Sequence, residues 1–387
     1  MKMIRSMLDT DLYKLTMQWA ILKNYPNADV QYKFILRNKR VFQIDFIDKL
    51  RNRINQFADI KLADDEYHYL LQTCPYLPRA YIDFLRGYRY DPSEVLMVTG
   101  FERIPEMAIR GPWYRTVLWE TPLMATISEL FFEDSDVDVN DHDHRITDKT
   151  RRIISNDLTV ADFGTRRRFS YSYHNSIIKH MKHVLAGTSN VHMAMKHDLK
   201  PIGTHAHEWF MFHGAKYGYQ SANYQALKKW QLTFEGDLGI ALTDTYTTDI
   251  FLQSFNMKYA KLFDGVRHDS GDPYEFTDKI INHYRQFGID PMSKTIVFSD
   301  GLNIQKAVEI AKYCNDKIKC SFGIGTHLTN DIDGITPLNM VIKLWNVNGR
   351  PTIKLSDDSG KHTGSQKDVD SCKYILGINT ETFPFGI

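Results

Sequence analysis

The sequence predicts an α/β protein, with an irregular TIM-like α/β barrel and an additional α/β (α+β) domain formed largely by the N-terminal region. From residue 158 onward, short apolar runs recur, and most of them end in Gly, Asp, Arg, His or Thr. Such polar clusters are typical of a parallel barrel, because its active site collects the loops that follow the strands. The clusters occupy residues 161–168, 187–190, 203–208, 264–272, 298–301 and 322–326.

Three segments are predicted along the chain. Residues 1–150 form the α+β domain that flanks the active site, 151–356 form the barrel with the catalytic loops, and 357–387 form a returning C-terminal segment. Within the first segment, the acidic stretch 133–143 lacks EF-hand spacing, so a solvated loop or helix start is favoured over a metal site. The helical patterns of this segment are 11–22, 45–57 and 64–71, and its β-like runs are 30–36 and 95–98.

The spacing of the later apolar runs supports the barrel. The runs lie roughly 25 to 40 residues apart, close to the roughly 30 residues of one strand–helix unit. The interval from 187 to 203 is shorter and permits only about two turns of helix around Ala194, so the barrel is expected to be irregular. Helical patterns at 278–287 and 303–313 separate some of the runs. The predicted strands lie at 158–163, 184–186, 202, 238–242, 265–266, 295–298, 321–324 and 340–344.

Composition and charge are those of a globular protein without a global charge field. Of 387 residues, 43% are apolar and 25% are charged, and 48 basic residues offset 47 acidic ones to a net charge of +1. Nucleic acid and membrane are therefore not expected partners. The sequence contains neither an apolar run of about 18 residues nor a signal-peptide pattern. The four cysteines lack zinc-site spacing and are expected to be reduced thiols in a cytoplasmic protein.

Two clusters have features of a phosphate site. The motif DFGTRRR at 162–168 places three guanidinium groups after a strand, and arginine binds phosphate or carboxylate in a bidentate manner. Consecutive side chains cannot all point the same way, so one or two are expected in the site and another at the surface. A solvated basic turn is the alternative. The motif GIGT at 323–326 can present backbone N–H groups to an anion in a late barrel loop.

Carboxylates at strand ends offer ligands for Mg²⁺. In the motif RHDSGD at 267–272, Asp269 and Asp272 have the hard oxygen atoms that this ion prefers, and Mg²⁺ commonly bridges to substrate phosphates. A helix-capping turn is the alternative interpretation, and the same alternative applies to Asp300. The sequence alone therefore does not decide which of these carboxylates bind a metal ion.

The motif GTHAHE at 203–208 contains two histidines that would share one face of a strand. Its spacing does not supply the further ligands that a metal site requires. One functional histidine that acts as a nucleophile or proton carrier is the more economical interpretation. Because the chain has 15 histidines, most of them must be structural.

Taken together, seven motifs resemble the nicotinate phosphoribosyltransferase family, in the right order and over nearly the whole chain. Each motif is modest alone, but their joint occurrence is specific. The resemblance implies the fold of the type II phosphoribosyltransferases, in which an irregular α/β barrel lies beside an α/β domain. The motifs are DTDLYK at 9–14, DFGTR at 162–166, GTSN at 187–190, GTHAHEW at 203–209, RHDSGDP at 267–273, FSD at 298–300 and FGIGT at 322–326.

The resemblance also implies a reaction. Nicotinate and phosphoribosyl pyrophosphate would give nicotinate mononucleotide and pyrophosphate, the first step of NAD salvage, coupled to ATP hydrolysis. Mg²⁺ is the implied cofactor, and relatives of this fold often form homodimers. His207 matches the autophosphorylated histidine of the family. The matching substrate positions are Tyr13, Thr204 and Arg267 for nicotinate, and Asp269, Asp300, Gly325 and Thr326 for phosphoribosyl pyrophosphate.

The chemistry of the residues agrees with that assignment. Loss of pyrophosphate from the ribose C1 atom builds positive charge on the sugar and negative charge on the leaving group. Arg166 or Arg267, Mg²⁺ and backbone donors can stabilise the leaving group, and Asp269 can favour the cationic sugar. The pyridine nitrogen is the nucleophile and needs no protein base. Positioning is then the main task, with Tyr13 a candidate to stack on the ring.

Substrate choice depends on Ser189 in this interpretation. Nicotinamide-using relatives carry an Asp after the Gly-Thr of this motif, where it can accept a hydrogen bond from the amide. A carboxylate there would repel nicotinate, so Ser189 favours the acid. The alternatives are a nicotinamide phosphoribosyltransferase of the same fold and a phosphosugar barrel enzyme. The latter would need a Schiff-base lysine or a glutamate base at a strand end, and Lys343 and Lys354 lie near late strands without a supporting motif.

Overall fold

Two β-sheets organise the chain in the computed structural model, which describes residues 4–38, 40–100, 104–135, 143–358 and 360–378. One sheet has six parallel strands and the other has five antiparallel strands. In chain order the strands are β1 (Asp29–Leu36), β2 (Val95–Thr99), β3 (Pro105–Pro112), β4 (Val160–Asp162), β5 (Leu185–Thr188), β6 (Ile240–Leu242), β7 (Gly265–His268), β8 (Thr295–Phe298), β9 (Lys319–Ile324), β10 (Met340–Val347) and β11 (Arg350–Pro351).

Helices connect and cover the two sheets. Short 3₁₀ helices also occur at Gln56–Asp59, Pro92–Glu94, Thr165–Arg167 and Pro291–Ser293. The α-helices are α1 (Leu12–Asn24), α2 (Phe46–Asn55), α3 (Asp64–Thr73), α4 (Arg79–Gly87), α5 (Trp113–Thr116), α6 (Glu120–Phe132), α7 (Asp143–Ser155), α8 (Tyr171–Met181), α9 (Val191–His197), α10 (His207–Tyr217), α11 (Tyr219–Phe234), α12 (Thr248–Ser254), α13 (Met257–Leu262), α14 (Pro273–Gln286), α15 (Ile304–Cys314), α16 (Thr326–Thr329) and α17 (Gln366–Ile375).

The parallel sheet has the strand order β5-β4-β9-β8-β7-β6. Its strands are short and mostly buried, as expected for parallel strands covered on both faces. Each observed strand overlaps one of the predicted apolar runs, and the helix α9 occupies the short interval around Ala194. The predicted helices at 278–287 and 303–313 are observed as α14 and α15.

An irregular segment, residues 200–205, bridges the two edge strands of the parallel sheet. Beside β5, Pro201 forms a single parallel bridge with Thr188, whose carbonyl oxygen accepts from the N–H of Ile202 at 2.9 Å. Beside β6, the Thr204 hydroxyl donates to the carbonyl oxygen of Ile240 at 3.1 Å. The parallel sheet therefore closes into a barrel through the extended backbone and the side chains of residues 200–205. A full strand at Ile202 was the expectation, and the structure has only the isolated bridge there.

The antiparallel sheet has the order β11-β10-β1-β3-β2 and combines N-terminal strands with a late segment of the chain. β10 pairs antiparallel with β1, with Phe34 opposite Ile342. The prediction that residues 340–344 belong to the barrel is therefore wrong. The physical reason is visible in the strand itself, because buried and half-buried residues alternate along β10 as in a strand with one covered face.

The N-terminal region contains the predicted mixture of helices and strands. The helical patterns correspond to α1, α2 and α3, and the β-like runs correspond to β1 and β2. Of the acidic stretch 133–143, residues 136–142 lie outside the described residues, as do residues 379–387 of the C-terminal segment. The described part of that segment contains α17, which contacts α11. Across the described ranges, no helix is long and apolar enough to cross a membrane.

Candidate active site

A cavity of about 440 Å³ lies at the carboxyl ends of the parallel strands. Loops that follow β4, β7, β8 and β9 form one part of its wall, and α1, α6, α10 and β10 form the rest. Residues from both sheets therefore meet at the end of the barrel where active sites of this architecture lie. The predicted site residues that line the cavity are Tyr13, Arg166, His207, Arg267, Asp269, Asp300, Gly325 and Thr326.

Three other predicted residues are not among the residues described as lining this cavity. Thr204 is engaged in closing the barrel, as described above. Ser189 is buried and donates through Oγ to Oδ1 of Asp11 at 2.7 Å. Asp272 is exposed, and its Oδ1 accepts two backbone N–H groups at the start of α14. The helix-capping alternative thus describes Asp272.

Glycines allow the loops after β4 and β9 to meet at the cavity. A Cβ atom on Gly323 would collide with the ring of Phe163, and one on Gly164 would collide with the Thr329 side chain. The backbone N–H of Phe163 also donates to the carbonyl oxygen of Ile324 at 2.8 Å. Close approach therefore requires glycine at both positions. Phe163 itself lines the cavity, so the motif DFG supplies an aromatic wall that the sequence did not single out.

The three consecutive arginines have three different environments. Arg167 donates through Nε and Nη2 to the carbonyl oxygen of Met340, at 3.1 and 2.8 Å. Arg168 is fully buried, with Nη1 at 2.7 Å from Asp9 and Nε at 2.8 Å from Glu129. Arg166 and Arg167 line the cavity. The expectation that the remaining arginine lies at the surface is wrong, because Asp9 and Glu129 hold Arg168 inside the protein.

Arg166 lies on the 3₁₀ helix after β4 and lines the cavity. Its Nη1 donates to Oε1 of Glu120 at 3.3 Å, and its Nε lies 3.7 Å from Oδ2 of Asp11. The guanidinium carbon is 6.0 Å from the ring centroid of Tyr13. A cation and an aromatic ring therefore border the same part of the cavity, and an aromatic anion could contact both.

His207 is the first residue of α10, so it does not share a strand face with His205. Its Nδ1 lies 3.1 Å from Oγ1 of Thr245, and its Nε2 lies 2.9 Å from Oδ2 of Asp269. Lys354 approaches the same Nε2 to 3.0 Å and also lies 3.1 Å from Oδ2 of Asp244. A neutral Nε2 can donate to Asp269 or accept from Lys354, but it cannot do both. The two partners of Nε2 therefore favour different tautomers of the His207 ring.

The electrostatics of this cluster favour a neutral imidazole beside ionised carboxylates. Burial and the nearby Lys354 ammonium lower the pKa of His207 to about 4. Burial alone would raise the pKa of Asp269, but Arg267 and His207 hold it well below its usual value. At neutral pH His207 therefore keeps a lone pair that can act as a nucleophile.

Arg267 connects this cluster with the loop after β8. Its Nη2 lies 3.0 Å from Oδ1 of Asp269, and its Nε donates to Oγ of Ser299 at 2.9 Å. Ser299 in turn donates to Oδ1 of Asp269 at 2.7 Å. The planar fork of Arg267 is therefore fixed by two neighbours, while the side chain still lines the cavity.

Two lysines approach the same loops from the later part of the chain. Lys343 of β10 lines the cavity, and burial together with the nearby Lys354 lowers its pKa to about 7. Lys361 lies 3.5 Å from Oδ2 of Asp300 and also pairs with Asp358. The C-terminal segment thus contributes a cation at the edge of the strand-end loops.

His205 has a structural environment. It is buried against the rings of Trp230 and Phe210, with centroid distances of 4.6 and 5.3 Å. Its Nε2 accepts from the backbone N–H of Leu242 at 3.3 Å. Burial, followed by nearby positive charge, lowers the pKa of His205 to about 3. The side chain packs against the barrel, so His205 is one of the structural histidines of this chain.

Asp244 and Lys354 belong to the site although sequence reasoning did not select them. Asp244 follows β6 in an apolar run that ends in Leu-Thr-Asp, so the rule that found the other clusters could have found it. It is fully buried, and its Oδ1 has no hydrogen-bond partner among the described residues. The ligand atoms of His207, Asp244 and Asp269 lie within 4.8 Å of one another. Lys354 has no such local signal.

Comparison with known proteins gives matches in both halves of the chain. A model of the nicotinate phosphoribosyltransferase (NAPRTase) family matches residues 158–378, and a model of the NAPRTase N-terminal domain matches residues 8–128. The nicotinate phosphoribosyltransferase of Chromohalobacter salexigens is 48% identical, with 97% of this chain and 99% of that protein covered. That of Desulforapulum autotrophicum is 49% identical, with the same two coverages.

Solved structures show the same architecture. A crystal structure of nicotinate phosphoribosyltransferase from Porphyromonas gingivalis superimposes with a TM-score of 0.95 at 44% identity, covering 97% of this chain and 100% of that one. The enzyme of that name from Vibrio cholerae gives a TM-score of 0.93 at 36% identity, covering 98% and 95% of the two chains. The predicted fold class is confirmed.

Proposed function

Because the chain belongs to the nicotinate phosphoribosyltransferase family, we propose that it transfers the phosphoribosyl group of phosphoribosyl pyrophosphate to nicotinate. The products are nicotinate mononucleotide and pyrophosphate, and the reaction is the first step of NAD salvage. The observation that carries this proposal is the cavity at the strand ends, where arginines, a glycine loop and aromatic rings line one space. The family resemblance predicted from the motifs is confirmed by the matches to both halves.

Binding of the two substrates follows from the chemistry of the cavity wall. The rings of Tyr13 and Phe163 offer apolar surface to the pyridine ring, and Arg166 offers a fork for an anionic group. Gly325 and Thr326 offer backbone N–H groups in the loop after β9, which suits a phosphate. Ribose hydroxyl groups have acceptors in carboxylates such as that of Asp300 at the same rim.

The transfer needs charge stabilisation more than acid or base catalysis. As the pyridine nitrogen bonds to the ribose C1 atom, the bond from C1 to the diphosphate oxygen breaks and the diphosphate takes the electron pair. Arg166 or Arg267, which both line the cavity, can stabilise this leaving charge, and the ionised Asp269 favours positive charge on the sugar. No proton has to move in this step, so holding the reactants in line is the main contribution of the protein.

The carboxylates at the barrel mouth fit a divalent cation. The buried Oδ1 of Asp244, which accepts no hydrogen bond from the described residues, lies close to the carboxylate of Asp269, and Mg²⁺ prefers such oxygen ligands. We therefore propose that Asp269 and Asp244 hold Mg²⁺, in preference to Asp272, whose Oδ1 caps a helix. When bound, the ion supplies positive charge for the phosphate groups of the substrates.

ATP is proposed as a co-substrate that phosphorylates His207. A neutral imidazole nitrogen attacks the γ-phosphorus atom, the bond to the β-phosphate oxygen breaks, and ADP leaves. The low pKa of His207 keeps that nitrogen unprotonated at pH 7, and Lys354 at 3.0 Å offers positive charge beside the new phosphoryl group. The negative charge of the phosphohistidine can order arginine and lysine side chains at the mouth of the barrel. Hydrolysis of the phosphohistidine then releases phosphate and restores His207.

A homodimer is also proposed. Val41, Ile44, Leu96 and Val98 are exposed apolar residues. The first two lie in the loop before α2, and the last two lie in β2, which contacts α2. A contiguous exposed apolar patch marks an interaction site, and we propose that these residues contact a second copy of the chain. Sedimentation equilibrium should show a dimer at micromolar concentration, and Val98→Asp should weaken it. A wild-type monomer under these conditions would contradict the proposal.

A cytoplasmic location is proposed for the reaction. Cys74, Cys314, Cys320 and Cys372 are free, and three of them are buried. Free buried thiols suit a reducing compartment, because disulfides persist mainly in oxidising ones.

One assay tests the proposed function. The purified protein is incubated with carboxyl-labelled nicotinate and phosphoribosyl pyrophosphate, with and without ATP and Mg²⁺, and the products are separated by anion exchange. Labelled nicotinate mononucleotide should form, faster with ATP and Mg²⁺. Parallel reactions with labelled nicotinamide should give much less product. Absence of product from both pyridines under all conditions would refute the proposal.

A further inference from the structure

An ion cluster of Lys14, Glu120, Glu208 and Arg166, called here the Lys14 cluster, forms part of the cavity wall. Glu120, Glu208 and Arg166 line the cavity, and Lys14 is fully buried beside them. Nζ of Lys14 lies 2.5 Å from Oε2 of Glu120 and 2.7 Å from Oε2 of Glu208. The second oxygen of Glu120, Oε1, accepts from Nη1 of Arg166 at 3.3 Å. The cluster therefore connects α1, α6 and α10 with the 3₁₀ helix that carries Arg166.

Lys14 is held rigidly inside the protein. Its side chain is 0% exposed, and the side chains of Glu120 and Glu208 are 9% and 7% exposed. Oε1 of Glu208 accepts from Tyr32 Oη at 3.2 Å and from Trp113 Nε1 at 3.4 Å, so this carboxylate cannot turn away. A lysine is rarely buried to this degree unless carboxylates pair with it. Its ammonium group is thus fixed between two anions.

The charges around Arg166 are not balanced one to one. Two cations, Lys14 and Arg166, meet three carboxylates, those of Glu120, Glu208 and Asp11, the last at 3.7 Å from Arg166. Buried carboxylates compete for the available cations, because each unpaired one carries a desolvation penalty. Of these two cations, Arg166 lines the cavity. The competition among the carboxylates therefore decides how many N–H donors of Arg166 stay available to a ligand.

Lys14 limits the number of hydrogen bonds that Glu120 can accept from Arg166. An arginine and a carboxylate that meet without a competitor commonly form two parallel hydrogen bonds. Here Arg166 makes one hydrogen bond within the described part of the chain, to Oε1 of Glu120. The oxygen that a second bond would use, Oε2, is held by Lys14 at 2.5 Å. The remaining N–H groups of Arg166 are therefore not consumed by Glu120.

We propose that Lys14 is a positioning residue that holds Glu120 and thereby leaves the N–H donors of Arg166 free for an anionic group of the substrate. The ligand chemistry is a pair of anionic oxygens, on a carboxylate or a phosphate, that the planar fork of arginine binds. This inference rests on the proposed function and deepens it, because both proposed substrates carry such a group. Lys14 itself does not touch the ligand.

The first test is Lys14→Met in the full-length protein. KM for one anionic substrate should rise about tenfold or more, while kcat changes by less than about threefold. A rise for nicotinate assigns the carboxylate to Arg166, and a rise for phosphoribosyl pyrophosphate assigns a phosphate. Both KM values within about twofold of wild type would overturn the inference. A wild-type protein without any transferase activity would instead refute the proposed function.

Rescue separates positioning from a purely structural role. In Lys14→Met/Glu120→Gln the competing charge is removed together with the ammonium, so KM should return toward wild type by about fivefold or more. A structural role predicts additional loss in the double variant, which would overturn the inference. If Lys14→Met does not fold, Glu120→Gln alone gives the decisive measurement: KM should stay level or fall, and a tenfold rise would count against the proposal.

Lys294→Met is the matched control. Lys294 is also buried and donates to the carbonyl oxygens of Phe263 and Lys261, but it precedes β8 at the end of the barrel opposite the cavity. Its loss should lower the melting temperature and leave both KM values within about twofold of wild type. An equal KM rise in this control would show that loss of a buried lysine acts through general destabilisation, and would overturn the inference.

Discussion

Replacement of Lys354 by methionine should slow phosphorylation of His207 by about 10- to 150-fold. Nζ of Lys354 lies 3.0 Å from Nε2 of His207 and 3.1 Å from Oδ2 of Asp244. A hydrogen bond to a charged group contributes about 1.5–3 kcal/mol. Because about 1.4 kcal/mol corresponds to a factor of ten in rate, loss of one such contact with the transferring phosphoryl group gives this range.

The assay is single-turnover labelling with γ-labelled ATP, followed by quenching and treatment with acid or alkali, since phosphohistidine is labile to acid and survives base. Lys354→Arg keeps the charge and should lose less. Lys343→Met removes a lysine that lines the cavity, so transfer should slow while phosphorylation of His207 continues. Melting curves are needed because Lys354→Met leaves the buried Asp244 without this cation. A folded Lys354→Met protein that is phosphorylated at the wild-type rate would refute the reasoning.

Three other substitutions test the remaining assignments. Arg267→Lys keeps the charge but loses the fork that reaches Asp269 and a neighbouring hydroxyl, so kcat/KM should fall about tenfold, or about 1.4 kcal/mol; unchanged kinetics would remove Arg267 from the site. Ser189 donates to Asp11, so Ser189→Asp adds a second carboxylate next to that of Asp11; it should lower kcat/KM for nicotinate by like-charge repulsion and raise turnover of nicotinamide, and an unchanged preference would place discrimination elsewhere. His207→Ala should lose ATP hydrolysis and ATP stimulation together and keep a slow ATP-independent transfer; label that persists in it would contradict the assignment. His205→Ala should keep both activities at a cost of about 1–3 kcal/mol in stability.

The strands of the barrel were predictable because their signal is local. Runs such as 295–298 are apolar, short and followed by polar residues, and β8 covers the same four residues. Pairing is a different matter, since a strand does not encode its partner in its own sequence. β10 was therefore assigned to the wrong sheet, although the alternation of Met340, Ile342 and Leu344 with less buried neighbours is the pattern of a strand covered on one face.

The strand-end residues of the site were likewise predictable, because the barrel gathers strand ends in one place. That rule identified Arg166, Asp269 and Asp300, and applied to β6 it would have identified Asp244. It could not identify Lys354, which approaches His207 from the segment after the antiparallel sheet. It also could not separate residues that line the cavity from those that lie just behind its wall. Residue type and position along a strand do not determine that difference.

The ion pairs of Arg166, Arg168 and Lys14 show why side-chain direction has to come from the structure. Arg166 and Arg168 are two residues apart in a run of identical side chains, yet one lines the cavity and the other is fully buried between two carboxylates. Lys14 belongs to α1, where buried residues occur on nearly every position, so no amphipathic pattern marks it as special. Each of these cations is fixed by carboxylates from distant parts of the chain. The availability of Arg166 to substrate is thus a property of the whole charge arrangement, and it depends on Lys14, which is not among the residues that line the cavity.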